Sequence, residues 1–127
     1  MVAPTGLGLG RHGQLYVADT GKNRITLITH AITRTSSAGT GTVITSGRFL
    51  KAPLGLAVAG DGDVLTVNAG NGRIVETAPD GRQVSSEFLD TSGSPPGDGA
   101  LFGLAIAPHG AGIYYVDDAA NTLRLLR

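Results

Sequence analysis

The sequence predicts an all-β chain built from repeated four-stranded antiparallel sheets. Three observations carry this: one pattern returns three times at a spacing of 49 residues, each copy has the period of short strands, and no stretch holds a helix-forming composition for long. Gly, Pro, Thr and Val interrupt every candidate helical window, and Gly supplies 20 of 127 residues against an average of about 7%.

The three copies run from Pro4 to Ile28 (PTGLGLGRHGQLYVADTGKNRITLI), from Pro53 to Thr77 (PLGLAVAGDGDVLTVNAGNGRIVET) and from Leu101 to Leu126 (LFGLAIAPHGAGIYYVDDAANTLRLL). Gly6, Gly55 and Gly103 align, as do Gly13, Gly62 and Gly110. So do Leu7, Leu56 and Leu104, then Asp19, Asn68 and Asp117, then Ile25, Ile74 and Leu123. The third copy holds an offset of 48 until one extra residue, near Ala111 and Gly112, restores 49.

Within the first copy, Leu7-Gly8-Leu9, Leu15-Tyr16-Val17 and Ile25-Thr26-Leu27 read as three short strands. Arg11-His12-Gly13 turns the first into the second, and Thr20-Gly21-Lys22-Asn23 the second into the third. Gly, Asn and Asp suit such turns because they tolerate positive φ or bond their own backbone. A fourth strand follows at about Thr42 to Ser46 in the first copy and Arg82 to Phe88 in the second, the latter entered through the turn Pro79-Asp80-Gly81. The chain stops at Arg127, after the third strand of the last copy, so the count is eleven.

Four antiparallel strands every ~45–50 residues is the period of propeller blades. The chain therefore reads as one propeller segment over residues 1–127, with blade 1 at about 4–47, blade 2 at about 53–89 and blade 3 at about 101–127, the last lacking its outer strand. The Pro-x-Gly-Leu-Ala-Val opening, the x-Asp-Gly turn, the Val-Ala-Asp-Thr-Gly stretch and the Asn-Arg-Ile closing run resemble the NHL repeat. Tyr16 to Ile25 carries the resemblance best, with Gly55-Leu56-Ala57-Val58 and Gly103-Leu104-Ala105-Ile106 beside it. Thr122 stands where the other copies have Arg24 and Arg73, which leaves room for a different last turn. A WD40 array is disfavoured because the chain has no Trp.

Propellers typically close with four to eight blades, and three leave an apolar sheet face open at each end. The missing blades come either from the rest of a longer chain or from a second copy in a symmetric dimer.

In an antiparallel meander the turns alternate between the two ends of the strands. The second-to-third-strand turns therefore share a face with the connections between blades, including the long polar segment Asp90 to Gly99. Function concentrates on loops held by a rigid scaffold, so this face is the candidate binding surface, represented by Lys22, Arg48, Asn71, Asp98 and Asp118. No residue is assigned a catalytic or metal-ligating role. Asp19, Asn68 and Asp117 recur once per copy, which favours a structural duty: a short Asx side chain satisfying backbone donors in the next turn and meeting Arg24 or Arg73. Asp117 and Asp118 are adjacent on a strand end and point to opposite sides, so they do not form a catalytic dyad.

Other sharp readings fail on context. Gly8-Leu9-Gly10-Arg11-His12-Gly13 fits G-x-G-x-x-G, but the strand Leu15-Tyr16-Val17 follows where a dinucleotide site needs a helix. His12 and His109 hold one repeat position two blades apart, at turn tips, and cannot converge on one ion. Phe88 and Phe102 are expected as core aromatics between blades; of Tyr114 and Tyr115, one is expected buried and one exposed.

Ten basic residues balance ten acidic ones and neither sign forms a block, so the basic stripe of a nucleic-acid binder is missing; Lys22, Arg48 and Lys51 are too few to make one. No segment approaches the ~20 apolar residues that span a bilayer, and Met1-Val2-Ala3-Pro4 has no basic or apolar leader character. Without cysteine there is no disulfide or thiolate chemistry. Compartment stays open, although the NHL resemblance implies relatives that are often exported. The leading expectation is a non-enzymatic binding or assembly scaffold for an unknown protein or small ligand, with no cofactor. The alternative is a fragment of a lactonase-like propeller hydrolase or lyase, which would use a divalent metal at the ring centre.

Overall fold

The computed structural model describes residues 1–127 as eleven strands in three antiparallel sheets of four, four and three. Blade 1 is β1 (Pro4–Leu9), β2 (Leu15–Asp19), β3 (Arg24–Ile28) and β4 (Thr42–Ser46); blade 2 is β5 (Pro53–Val58), β6 (Val64–Asn68), β7 (Arg73–Thr77) and β8 (Gln83–Phe88). Blade 3 is β9 (Leu101–Ile106), β10 (Ile113–Asp117) and β11 (Thr122–Leu126). Each sheet is a simple meander in chain order, and the only helical pieces are three-residue turns at Arg11–Gly13, Thr20–Lys22 and Pro108–Gly110. This is a partial propeller, as the repeat predicts.

Successive blades approach most closely through their first strands, β1 against β5 and β5 against β9, while the outer strands splay apart. The aligned glycines explain that geometry. A Cβ on Gly6 would collide with the Leu54 carbonyl oxygen, and one on Gly55 with that of Phe102. Only a residue without a side chain lets the backbones come this near.

Two apolar clusters fill the gaps between blades. Tyr16, Ala18 and Ile25 of blade 1 meet Leu56, Val64 and Val75 of blade 2, with Leu50 from the connection. Val67 and Ile74 of blade 2 meet Ala100, Leu101 and Tyr115 of blade 3. Burying a side chain such as Ile25, which is fully enclosed, stabilises by roughly 1.5–3 kcal/mol.

The turns follow the repeat as well. Asn23, Gly72 and Asn121 occupy one repeat position, and all three take positive φ, 52°, 71° and 54°. Asn and Gly are the residue types that accept that conformation most readily. The last turn therefore keeps the left-handed residue of the others despite Thr122. What changes is the ion pair: Arg24 Nε bonds Asp19 at 2.6 Å, whereas Asp117 is approached by Arg124, two positions further on, at 3.6 Å.

Two expectations need correction. Phe88 and Phe102 are not core aromatics; they are 51% and 43% exposed. Phe88 ends the outermost strand of blade 2, paired with Arg73 on the same face as Val75, toward blade 1 and outside the buried cluster. Arg73 covers its ring instead, at 4.0 Å from the centroid. Tyr115 is buried and Tyr114 exposed, as alternation requires.

Candidate functional site

The two ends of the blades carry different chemistry. At one end the second-to-third-strand turns lie against the connections between blades: Gly21 N–H donates to Val2 O, Ala69 N–H to Ala52 O, and Asp118 N–H to Ala100 O. Lys22, Arg48, Asn71, Asp98 and Asp118 all lie on this end. Lys22, Arg48, Asp98 and Asp118 are exposed; Asn71 is half-buried, its Oδ1 accepting from Asn68 Nδ2 at 3.0 Å. Arg48 rests on the Phe49 ring at 4.7 Å.

Beneath these residues sit the three recurring Asx side chains. Asp19 is fully buried and accepts from Val2 N at 2.7 Å and Arg24 Nε at 2.6 Å. Burial alone would raise its pKa, but those donors outweigh it and hold the carboxyl below its ordinary value. Asn68 donates to Phe49 O at 2.6 Å, a link to the connecting segment, while Arg73 turns away to Ser86 at 2.6 Å. Asp117 accepts from Ala120 N at 3.2 Å and leaves its other oxygen buried without a hydrogen bond. Burial, then the neighbouring Asp90 carboxyl, raises its pKa; Asp90, held by Ser92, is lowered. Asp118 beside it is exposed, so the adjacent pair forms no dyad. Asp19 meets Arg24 and Asp117 takes a donor from the following turn, as expected, but Asn68 does neither: its Oδ1 has no partner and Arg73 bonds Ser86.

The opposite end holds a group that sequence reasoning missed. Asp61 and Asp63, in the turn from β5 to β6, and Glu76 on β7 bring carboxylate oxygens within 4.8 Å of one another. A hydrogen bond with Glu76 is the largest cause, ahead of burial, that pushes the Asp63 pKa up to about 6. Such a cluster can hold one proton near neutral pH, or offer oxygen ligands to a hard divalent cation. A signal existed: Asp61-Gly62-Asp63 puts two carboxylates in one turn, and the β6–β7 hairpin returns Glu76 beside them.

His12 and His109 behave as turn residues, exposed and both at φ 58°. After Gly10 comes a three-residue turn and then β2, so the glycine motif meets no helix. The strands nearest the blade convergence read PTGLGL, PLGLAV and LFGLAI. They hold no carboxylate or imidazole, so the metal at the ring centre expected under the enzyme reading finds no ligand side chain on them. The acidic cluster lies away from these strands, on the turn end of blade 2. No helix is long and apolar enough to cross a membrane.

No protein-family model matches the sequence, and neither does any curated protein. Solved structures do match. Virginiamycin B lyase from Staphylococcus aureus is 17% identical with a TM-score of 0.71, over 94% of this chain and 36% of that one. Regucalcin, a calcium-binding protein from Agrobacterium tumefaciens, is 19% identical with a TM-score of 0.66, over 96% of this chain and 45% of that one. A gluconolactonase from Xanthomonas campestris is 16% identical with a TM-score of 0.57, over 92% and 36%. The chain thus spans less than half the length of each of these structures. At such identities the likeness speaks for the fold, and the fold is the propeller.

Proposed function

We propose that this chain supplies the blades of a propeller enzyme of the lactonase or lyase kind, acting on a cyclic ester. The supporting observation is the Asp61, Asp63 and Glu76 cluster, where three carboxylate groups converge and one has a pKa near the range useful for proton transfer. The names of the gluconolactonase and lyase neighbours point the same way. In this reading Asp63 and Glu76 share a proton that Asp63 can deliver to a leaving oxygen or take from an attacking water. A divalent cation bound there would polarise the ester carbonyl. The test is turnover of simple lactones by the purified chain, with and without calcium, beside the Asp63→Asn variant. Turnover that Asp63→Asn abolishes supports the reading; turnover indifferent to Asp63, or none, overturns it for this chain.

A second reading, a non-enzymatic binding scaffold, draws on a different observation. The three convergent strands offer no acid, base or ligand side chain, while the connection end presents Lys22, Arg48, Asn71, Asp98 and Asp118 on firmly hydrogen-bonded turns. Elemental analysis separates the two: stoichiometric calcium or zinc favours the enzyme, its absence the scaffold.

A further inference from the structure

We propose that two copies of this chain close on each other head to tail, the free face of blade 1 in each seating on the free face of blade 3 in the other, to make a six-bladed ring. The chain carries both halves of this interface, and it displays the template for it internally.

In the contact between blades 1 and 2, the small residues Gly6 and Gly8 of β1 receive β5: Leu56 and Val58 lie where a Cβ on Gly8 would be. The repeat puts Gly103 and Ala105 of β9 at the positions of Gly6 and Gly8, and Leu7 and Leu9 of β1 at those of Leu56 and Val58. Neither set has a partner within the chain. A Cβ on Gly103 would meet only Val116 of its own sheet, 3.2 Å away, with no backbone arriving from outside. Gly weakens a strand unless another backbone comes close, so Gly103 keeps a feature whose purpose lies in a further blade. Leu7 and Leu9 are 61% and 55% exposed, although Leu56 in the same repeat position is buried.

The blade 3 face is shaped to take them. Tyr114, Val116 and Leu123 border a shallow apolar hollow of about 120 Å³ over Gly103 and Ala105. Leu7, Leu9, Val116 and Leu123, the exposed side chains of the two free faces, are uncharged, and the one ion pair on the blade 1 face, Arg24 with Asp19, is already closed on itself. The blade 1 face is already arranged as in an internal interface, because Met1-Val2-Ala3 runs along it as Leu50-Lys51-Ala52 runs along blade 2. Gly21 N–H bonds Val2 O at 2.8 Å just as Gly70 N–H bonds Lys51 O at 3.1 Å. A contact between two different faces closes only if the rotation returns to its start. Two three-bladed copies related by a two-fold axis do so, within the usual four to eight blades.

The test is the mass of the 127-residue chain by sedimentation equilibrium, with folding of every variant checked by circular dichroism. The wild type is expected at twice the mass of one chain. Leu7→Glu and Leu123→Lys, both at exposed positions, each block one face and are expected to halve it. Mixing the two variants leaves one intact face on each and restores the doubled mass. A monomeric wild type, an open-ended series of sizes, a dimer indifferent to both substitutions, or failure of the mixture to recover would each overturn the head-to-tail ring.

Discussion

Gly55→Ala tests whether the glycines of the first strands set the spacing of the blades. The added methyl group would collide with the Phe102 carbonyl oxygen, and it has Gly103 C and Leu104 N at 3.0 Å. All three neighbours are backbone, so relief requires β9 to back away from β5 along its length. Forcing an extra methyl group into a packed interface costs about 1–3 kcal/mol, against which reduced freedom of the unfolded chain returns roughly 0.4–1 kcal/mol. Gly60→Ala is the internal control: nothing lies within 4 Å of a Cβ there, and only the small gain remains. The two variants should differ by about 2 kcal/mol, or roughly 1 M in urea midpoint at the usual denaturant slope. Urea titrations at one fixed chain concentration, followed by circular dichroism, measure the gap directly. Equal midpoints would refute the close-approach account of the aligned glycines.

Arg24→Ala strips Asp19 of its cation while Val2 N–H remains, so the loss should be about 2–3 kcal/mol by thermal unfolding, below the 3–5 typical of a buried pair left with no donor. Asp19 titrates low when folded, so its contribution is complete above about pH 4 and disappears as pH falls through the lowered value; acid unfolding of Asp19→Asn should be correspondingly less steep. Asp117 is the opposite case. Its raised pKa means that its favourable contribution belongs to low pH and is lost as pH climbs through the raised value. Asp117→Asn should therefore raise the melting temperature at pH 7 and leave it little changed near pH 3. Glu76→Gln should return the Asp63 titration, followed by carboxyl NMR, from about 6 toward the ordinary carboxylate range. Ile25→Ala, at a fully buried position between blades 1 and 2, should cost on the order of 2–5 kcal/mol in the urea assay.

The strands were legible because their signals are local. Period-two runs bounded by Gly, Asn and Asp locate β1 to β3, and the spacing locates their copies; Thr42–Ser46 agrees residue for residue, and β8 begins one residue late. The alignment of Gly6 with Gly55 and Gly103 was equally visible, but not its cause, because the colliding atoms belong to a blade 49 residues away. Phe88 was misjudged for a related reason. A large aromatic on a strand reads as core, and only the assembled sheet shows that Phe88 lies on the outer strand, outside the buried cluster and under Arg73. The acidic cluster escaped notice because Glu76 joins Asp61 and Asp63 through the hairpin, not through any motif spacing. At the connection end the ion pair of Asp19 with Arg24 was legible from their spacing, whereas the bond from Asn68 to Phe49 O was not, because Phe49 comes from the connection between blades.

The likeness between Met1-Val2-Ala3 and Leu50-Lys51-Ala52 has an engineering consequence. It fixes the phase of the cassette: each module starts at the linker that braces the turn between its own second and third strands, so the cuts fall before Met1, Leu50 and Asp98 and not at the first strand. Splicing in a duplicate of residues 50–97 at the last of these cuts would lengthen the stack by one whole blade without severing a brace. A cut at Pro4 or Pro53 would instead take Asp19 away from Val2, or Gly70 away from Lys51, and leave a frayed module.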